Sequence, residues 1–156
     1  MSKTFEQRIL AMNEMYNLPV KFVPTLQRGA LNKVRNFMDI LSDEITEGEV
    51  IIDALDDDPT DEICALVMLA DWLGDIVVYC RSEALKYGIP LEEVLSIIMD
   101  SNESKLDANG MPIYNEQGKF MKGPNYWKPE PKIRELLIAK MKQPPLSEME
   151  RIINND

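Results

Sequence analysis

Residues 60–88, TDEICALVMLADWLGDIVVYCRSEALKYG, decide how this chain is read. Leu66, Leu69, Leu73, Ile76, Val77 and Cys80 recur at steps of three and four, which predicts a long helix with one face in a core. Thr60 or Asp61 is placed to cap its start, and Gly88, following Lys86 and Tyr87, is placed just past its end. Two acids interrupt the apolar run. Asp71 and Asp75 stand one turn apart among Val67, Met68, Leu69, Trp72, Leu73, Ile76, Val77 and Val78, with no Lys or Arg until Arg81. A carboxylate held among apolar side chains is costly unless a cation or hydrogen-bond donors compensate it, so a positive group is expected beside this helix.

Upstream, Leu31, Val34, Phe37, Met38, Leu41 and Ile45 mark the apolar stripe of a helix from about residue 28 to 45 or beyond. Asp39, Asp43 and Glu47 are spaced by four and Glu44 and Glu47 by three, so several acids share one side of that helix. If it packs antiparallel to the central helix, these acids face Asp71 and Asp75 and form an oxygen-rich cage suited to Mg²⁺ or Mn²⁺. The alternative is an ordinary solvated acidic face. Gly48 is expected to kink or end the helix, leaving residues 49–58 as a short helix or bent extension before the turn at Pro59.

Further outward, Phe5, Ile9, Met12 and Tyr16 predict a first helix over residues 4–16. Pro19 and Pro24 enforce an extended connection whose Val20, Phe22 and Val23 are expected across the core. Pro90 is expected near N1 of a helix through LEEVLSIIMDSN, residues 91–102. MPIY (111–114) and KFMK (119–122), on either side of NEQG, predict a short β-hairpin. Pro131 is placed to start a last helix. The organisation expected is one domain over residues 1–142, all-α with four or five helices and the hairpin, followed by a tail at 143–156. Helices so few and so apolar are expected to complete their bundle by oligomerisation.

Two further clusters have a ligand reading beside a plain structural one. Asn102 and Lys105 follow a helical run, either as caps or as contacts to a sugar, base or carboxylate and to a phosphate. KGPNYW, residues 122–127, is either a turn or a site in which Lys122 meets phosphate and Tyr126 or Trp127 stacks on a base.

Composition narrows the classes. A net charge of −10 argues against gripping a nucleic-acid polymer, whereas a phosphorylated small molecule is accessible through metal ions. The absence of histidine removes imidazole ligands and histidine-based nucleophile arrangements, so any catalysis falls to carboxylates. Cys64 and Cys80 read as reduced core residues. No run of eighteen apolar residues and no basic-then-apolar leader is present, which reads as a soluble cytoplasmic protein without a membrane partner.

With these residues in view, the chain resembles the all-α nucleoside-triphosphate pyrophosphohydrolases, the superfamily of MazG, dimeric dUTPases and phosphoribosyl-ATP pyrophosphohydrolase. The signature of that superfamily is Glu-x-x-Glu on one helix and Glu-x-x-Asp on the next. Glu44-Ile-Thr-Glu47 matches the first half; the second matches at Asp75, with Trp72 where a glutamate is expected and Asp71 one residue earlier to stand in for it. Gly88-Ile-Pro, Ser101-Asn102-x-Ser104-Lys105 and Lys122-Gly-Pro-Asn-Tyr126 resemble the phosphoribosyl-ATP pyrophosphohydrolase-like branch, so that the likeness spans about residues 28–130.

The resemblance implies a MazG-like bundle and Mg²⁺-dependent hydrolysis between the α- and β-phosphates of a nucleotide, by a homodimer or dimer of dimers. It implies metal ligation by Glu44, Glu47, Asp71 and Asp75, with Glu47 and Glu44 as the catalytic carboxylates and Asp43 supporting the ligands from behind. Asn102, Lys105, Lys122 and Tyr126 would bind substrate. Two other readings stay open: phosphoribosyl-ATP as the substrate, or a non-catalytic helical module that binds a nucleotide or a protein.

Overall fold

A computed structural model describes residues 3–143 and shows five α-helices: α1 Phe5–Met15, α2 Ala30–Asp57, α3 Glu62–Lys86, α4 Leu91–Glu103 and α5 Glu130–Lys142. The chain divides into two compact units, Met1–Gly88 and Ile89–Asp156, each described by itself. Most of the expected tail at 143–156 lies outside the described residues.

In the first unit α3 packs against both α2 and α1. Thr4 caps α1 reciprocally with Gln7, and the Asp61 carboxylate accepts from the Cys64 N–H to start α3. α1 is tied to α3 by a fully buried polar joint: Asn13 Nδ2 donates to the Ser82 carbonyl at 3.2 Å, and Ser82 Oγ donates to Asn13 Oδ1 at 2.7 Å. Each buried polar group thus satisfies the other, which removes the penalty of burying either alone.

The extended connection after α1 closes the C-terminal end of α3. Lys21 N–H donates to the Leu85 carbonyl at 3.0 Å, Thr25 N–H to the Tyr87 carbonyl at 2.9 Å, and the Gln27 amide to the Lys86 carbonyl. The last carbonyls of the helix are thereby satisfied, that of Leu85 gaining a second donor beside the Gly88 N–H. Gly88 ends the helix as expected, at φ +66°, and a Cβ there would lie 2.5 Å from the Val23 carbonyl oxygen. Phe22, expected across the core, is exposed.

Three further expectations fail in this unit. α2 runs unbroken through Gly48 for 28 residues, because the glycine packs under an aromatic ring from α3 rather than ending the helix. Cys64 and Cys80 are free but exposed. The apolar stripes of α2 and α3 are also largely uncovered: Leu31, Met38, Ile45, Leu66, Leu73 and Val77 are all exposed, and the buried hydrophobic core among the described residues is Ile9, Ile51, Ala84 and Val94. The helical period fixes which residues share a face, but not what covers it. By length and composition α3 is also apolar enough to cross a membrane, with a best-window mean hydropathy of 1.9.

The second unit packs α5 on α4, with Lys140 paired to Glu93 at 2.8 Å. Pro90 is the N-cap residue of α4 rather than its first helical residue. The expected hairpin does not form: the described residues hold no strand, and a single bridge joins Tyr114 and Phe120. Two cross-strand backbone bonds do form, from the Asn115 N–H to the Lys119 carbonyl at 3.0 Å and from the Met121 N–H to the Ile113 carbonyl at 2.7 Å, and other donors go elsewhere. Asn115 Oδ1 takes the N–H groups of Gln117 and Lys119, Asp107 takes that of Met111, Gly123 donates to the Lys105 carbonyl at 2.7 Å, and Pro112 has none to give.

Candidate functional site

Four of the acids singled out by the sequence come together in the first unit. Glu44 and Glu47 from α2, and Asp71 and Asp75 from α3, line one pocket of ≈ 290 Å³ whose remaining walls are Val50, Ile51, Met68 and Trp72. The packing of α2 on α3 brings residues far apart in sequence to the same wall. Asp39 and Asp43 are exposed and do not line it.

Burial within the set reverses the expectation. Asp71 and Asp75 are exposed, because much of the apolar surface beside them is itself uncovered, whereas Glu44 is only 6% exposed. Glu44 Oε1 is buried without a hydrogen-bond partner. Burial pushes the Glu44 carboxyl above its ordinary value of 4.5, and the negative charges of Glu47, Asp75 and Asp71 push it further. A buried acceptor facing like charges is destabilising by itself and calls for a proton or a cation.

By chemistry alone the donor set suits a hard divalent cation: all four side chains offer carboxylate oxygen, one buried oxygen has no other partner, and the like charges need neutralising. As the side chains stand, no group of three or more acids or cysteines among the described residues is placed to hold a metal ion.

Trp72 occupies the position at which the resemblance expects a glutamate. Its half-buried indole donates from Nε1 to the Glu44 carbonyl oxygen at 2.7 Å and packs its edge over Gly48. In the sequence alone Trp72 stands out only as a departure from the acidic pattern. The signal that could have found its role is Gly48, a helix-weakening residue within a long amphipathic stretch.

The other residues expected at a site belong to the second unit. Lys105 Nζ donates to Asn102 Oδ1 at 2.6 Å, and the Lys122 ammonium lies 4.5 Å from the centre of the Tyr126 ring. The loop 122–127 is held to the end of α4 by the Gly123–Lys105 backbone bond, by Ser101 Oγ donating to the Trp127 carbonyl at 2.9 Å, and by Trp127 N–H donating to Ser104 Oγ at 3.2 Å. A Cβ at Gly123 would lie 2.1 Å from the Leu106 carbonyl oxygen, so the close approach requires glycine. The motifs SNESKL and KGPNYW thus make one neighbourhood within this unit.

Among solved structures, the chain is similar to the crystal structure of a protein described as a candidate NTP pyrophosphohydrolase from Exiguobacterium sp. 255-15. The TM-score is 0.50 at 19% identity, over 90% of this chain and 98% of that one. At that identity the likeness speaks for a shared all-helical fold. No family model matches the chain, and no curated protein matches it.

Proposed function

We propose that this chain is a Mg²⁺-dependent nucleotide pyrophosphohydrolase that cleaves the bond between the α- and β-phosphates to give a monophosphate and pyrophosphate. The observation that carries the reading is the Glu44 carboxylate, buried with one oxygen unpartnered and turned toward three further acids in one pocket. Such an arrangement is unfavourable without a counterion, and nucleoside triphosphates carry divalent cations. The resemblance in sequence and the likeness in fold point the same way.

Glu44, Glu47, Asp71 and Asp75 would hold Mg²⁺ or Mn²⁺, which when bound would neutralise the triphosphate and lower the pKa of a water. Glu47, exposed where Glu44 is buried, is the proposed general base. It accepts the proton of the attacking water; the water oxygen bonds to the α-phosphorus, the bond to the bridging oxygen breaks, and pyrophosphate leaves. Val50, Ile51, Met68 and Trp72 wall the carboxylates with apolar surface and so strengthen their electrostatics. In the second unit, Lys105 and Lys122 are proposed as phosphate contacts, Asn102 as a polar contact and Tyr126 as a stacking surface for a base.

We also propose a homodimer or dimer of dimers in the cytoplasm. The exposed apolar faces of α2 and α3 need covering, and a second copy supplies a matching surface. A membrane could cover them too, but Asp71 and Asp75 would each cost about 2.5–3.5 kcal/mol within α3 at a bilayer centre. Sedimentation analysis checks this: a multimer is expected, and a monodisperse monomer contradicts it.

One observation favours a non-catalytic nucleotide- or protein-binding module, namely that no three of the four acids are placed to hold a metal ion as they stand. Product analysis on a panel of nucleoside triphosphates, including phosphoribosyl-ATP, separates the readings. Pyrophosphate and monophosphate with Mg²⁺, and neither with chelator, is the expected result. Release of inorganic phosphate alone, or silence across the panel from folded protein, contradicts the proposed reaction.

A further inference from the structure

We infer that Trp72 is the positioning residue of the acidic pocket: with Gly48 it forms a matched lock that fixes the segment of α2 carrying Glu44 and Glu47 against α3. This rests on the metal-binding reading above and adds to it a role for a residue that departs from the acidic pattern.

Three observations meet at this point. The Trp72 indole N–H donates to the backbone carbonyl of Glu44 at 2.7 Å, so that it grips the buried acid through its main chain and leaves the carboxylate free to face the pocket. A Cβ on residue 48 would lie 3.0 Å from Trp72 Cζ2 and 3.2 Å from Cε2, tighter than ordinary packing allows. The ring cannot readily give way, because its own N–H is bonded to α2 and the indole is rigid. Glu47 precedes Gly48 and follows Glu44 by one turn, so both acids stand on the stretch of helix that the indole holds. Glycine inside a helix weakens it relative to alanine. Here its lack of a side chain admits the ring.

Position 72 therefore sets where the α2 acids stand, through packing and one hydrogen bond, while ligation is left to Glu44, Glu47, Asp71 and Asp75. Groups that orient ligands commonly change metal affinity by about tenfold or more when removed.

The test is Mn²⁺ affinity, read as free Mn²⁺ by electron paramagnetic resonance on the full chain without nucleotide, alongside melting temperature. Trp72→Phe keeps much of the ring and loses the donor; it should weaken Mn²⁺ binding about threefold to tenfold. Trp72→Glu, which completes the acidic pattern, should weaken binding rather than strengthen it. Gly48→Ala should weaken binding and lower the melting temperature, whereas in a Trp72→Ala background the same change should leave Mn²⁺ affinity as it is and raise the melting temperature, because the clash is gone and alanine favours helix. Asn13→Ala, destabilising but remote from the pocket lining, should leave Mn²⁺ affinity at the wild-type value.

Unchanged affinity in Trp72→Phe and in Gly48→Ala, with binding lost in Glu44→Gln, overturns the positioning role and leaves the metal site standing. Tighter binding in Trp72→Glu also overturns it and makes position 72 a vacant ligand position. Mn²⁺ binding unaffected by Glu44→Gln overturns the metal reading itself, and the inference with it.

Discussion

Asn13 and Ser82 hold each other in both directions, the amide donating to the serine carbonyl and the hydroxyl donating back to the amide oxygen, at a site where Asn13 has no exposed surface. The joint fixes α1 on α3 by polar complementarity. Truncating one partner strands the other. Asn13→Ala is therefore expected to cost about 2–3 kcal/mol and to lower the melting temperature by about 5–10 °C. A double-mutant cycle with Ser82→Ala should show strong non-additivity, since the second change removes a group already orphaned.

Gly88 is needed on two counts, its left-handed backbone and the Val23 carbonyl 2.5 Å from where a Cβ would stand. Gly29 also has positive φ, at +72°, but faces open space. Gly88→Ala should cost about 2–4 kcal/mol and Gly29→Ala only about 1 kcal/mol. Urea denaturation of the two variants separates strain of the backbone from the clash with the connection.

Glu44 gives the metal-free protein a distinctive pH dependence. Its folded pKa lies above the ordinary value of 4.5, so the folded state holds this proton more tightly than the unfolded chain. Its contribution is most favourable below about that ordinary value and is lost as pH rises through the raised folded pKa. In chelator, Glu44→Gln should then stabilise the protein at neutral pH and have little effect in acid. Metal affinity should move oppositely, growing as pH rises and the carboxyl ionises. Melting curves across pH for both proteins check the sign.

Much of the helical organisation is legible in the sequence because it is local. The period of Leu66, Leu69, Leu73 and Ile76, the Asp61 cap and Gly88 at the C-terminal end place α3 nearly to the residue. The association of Glu44, Glu47, Asp71 and Asp75 follows from two such helices packing together. What the sequence hides is non-local. Gly48 reads as a helix breaker until Trp72 is seen above it, and Glu44 looks as solvated as Asp43 until α3 covers it. The hairpin stops short of strands for the same reason: MPIY and KFMK have alternation and a turn between them, but the Asp107 and Asn115 side chains claim the N–H groups of Met111 and Lys119, which leaves the ladder partial. Cys64 and Cys80 look like core by composition, yet both are exposed, Cys80 on the same uncovered side of α3 as Leu66 and Leu73.

The central claim is that the acidic pocket, with its one buried and unpartnered carboxylate oxygen, takes a divalent cation. The most direct measurement is the melting temperature of wild type and Glu44→Gln as Mg²⁺ is titrated at neutral pH. Wild type should rise saturably, by the equivalent of about 2.7 kcal/mol at a hundredfold excess over the dissociation constant, while Glu44→Gln should start higher and stay flat. Equal rises in both proteins, or none in either, would contradict the account.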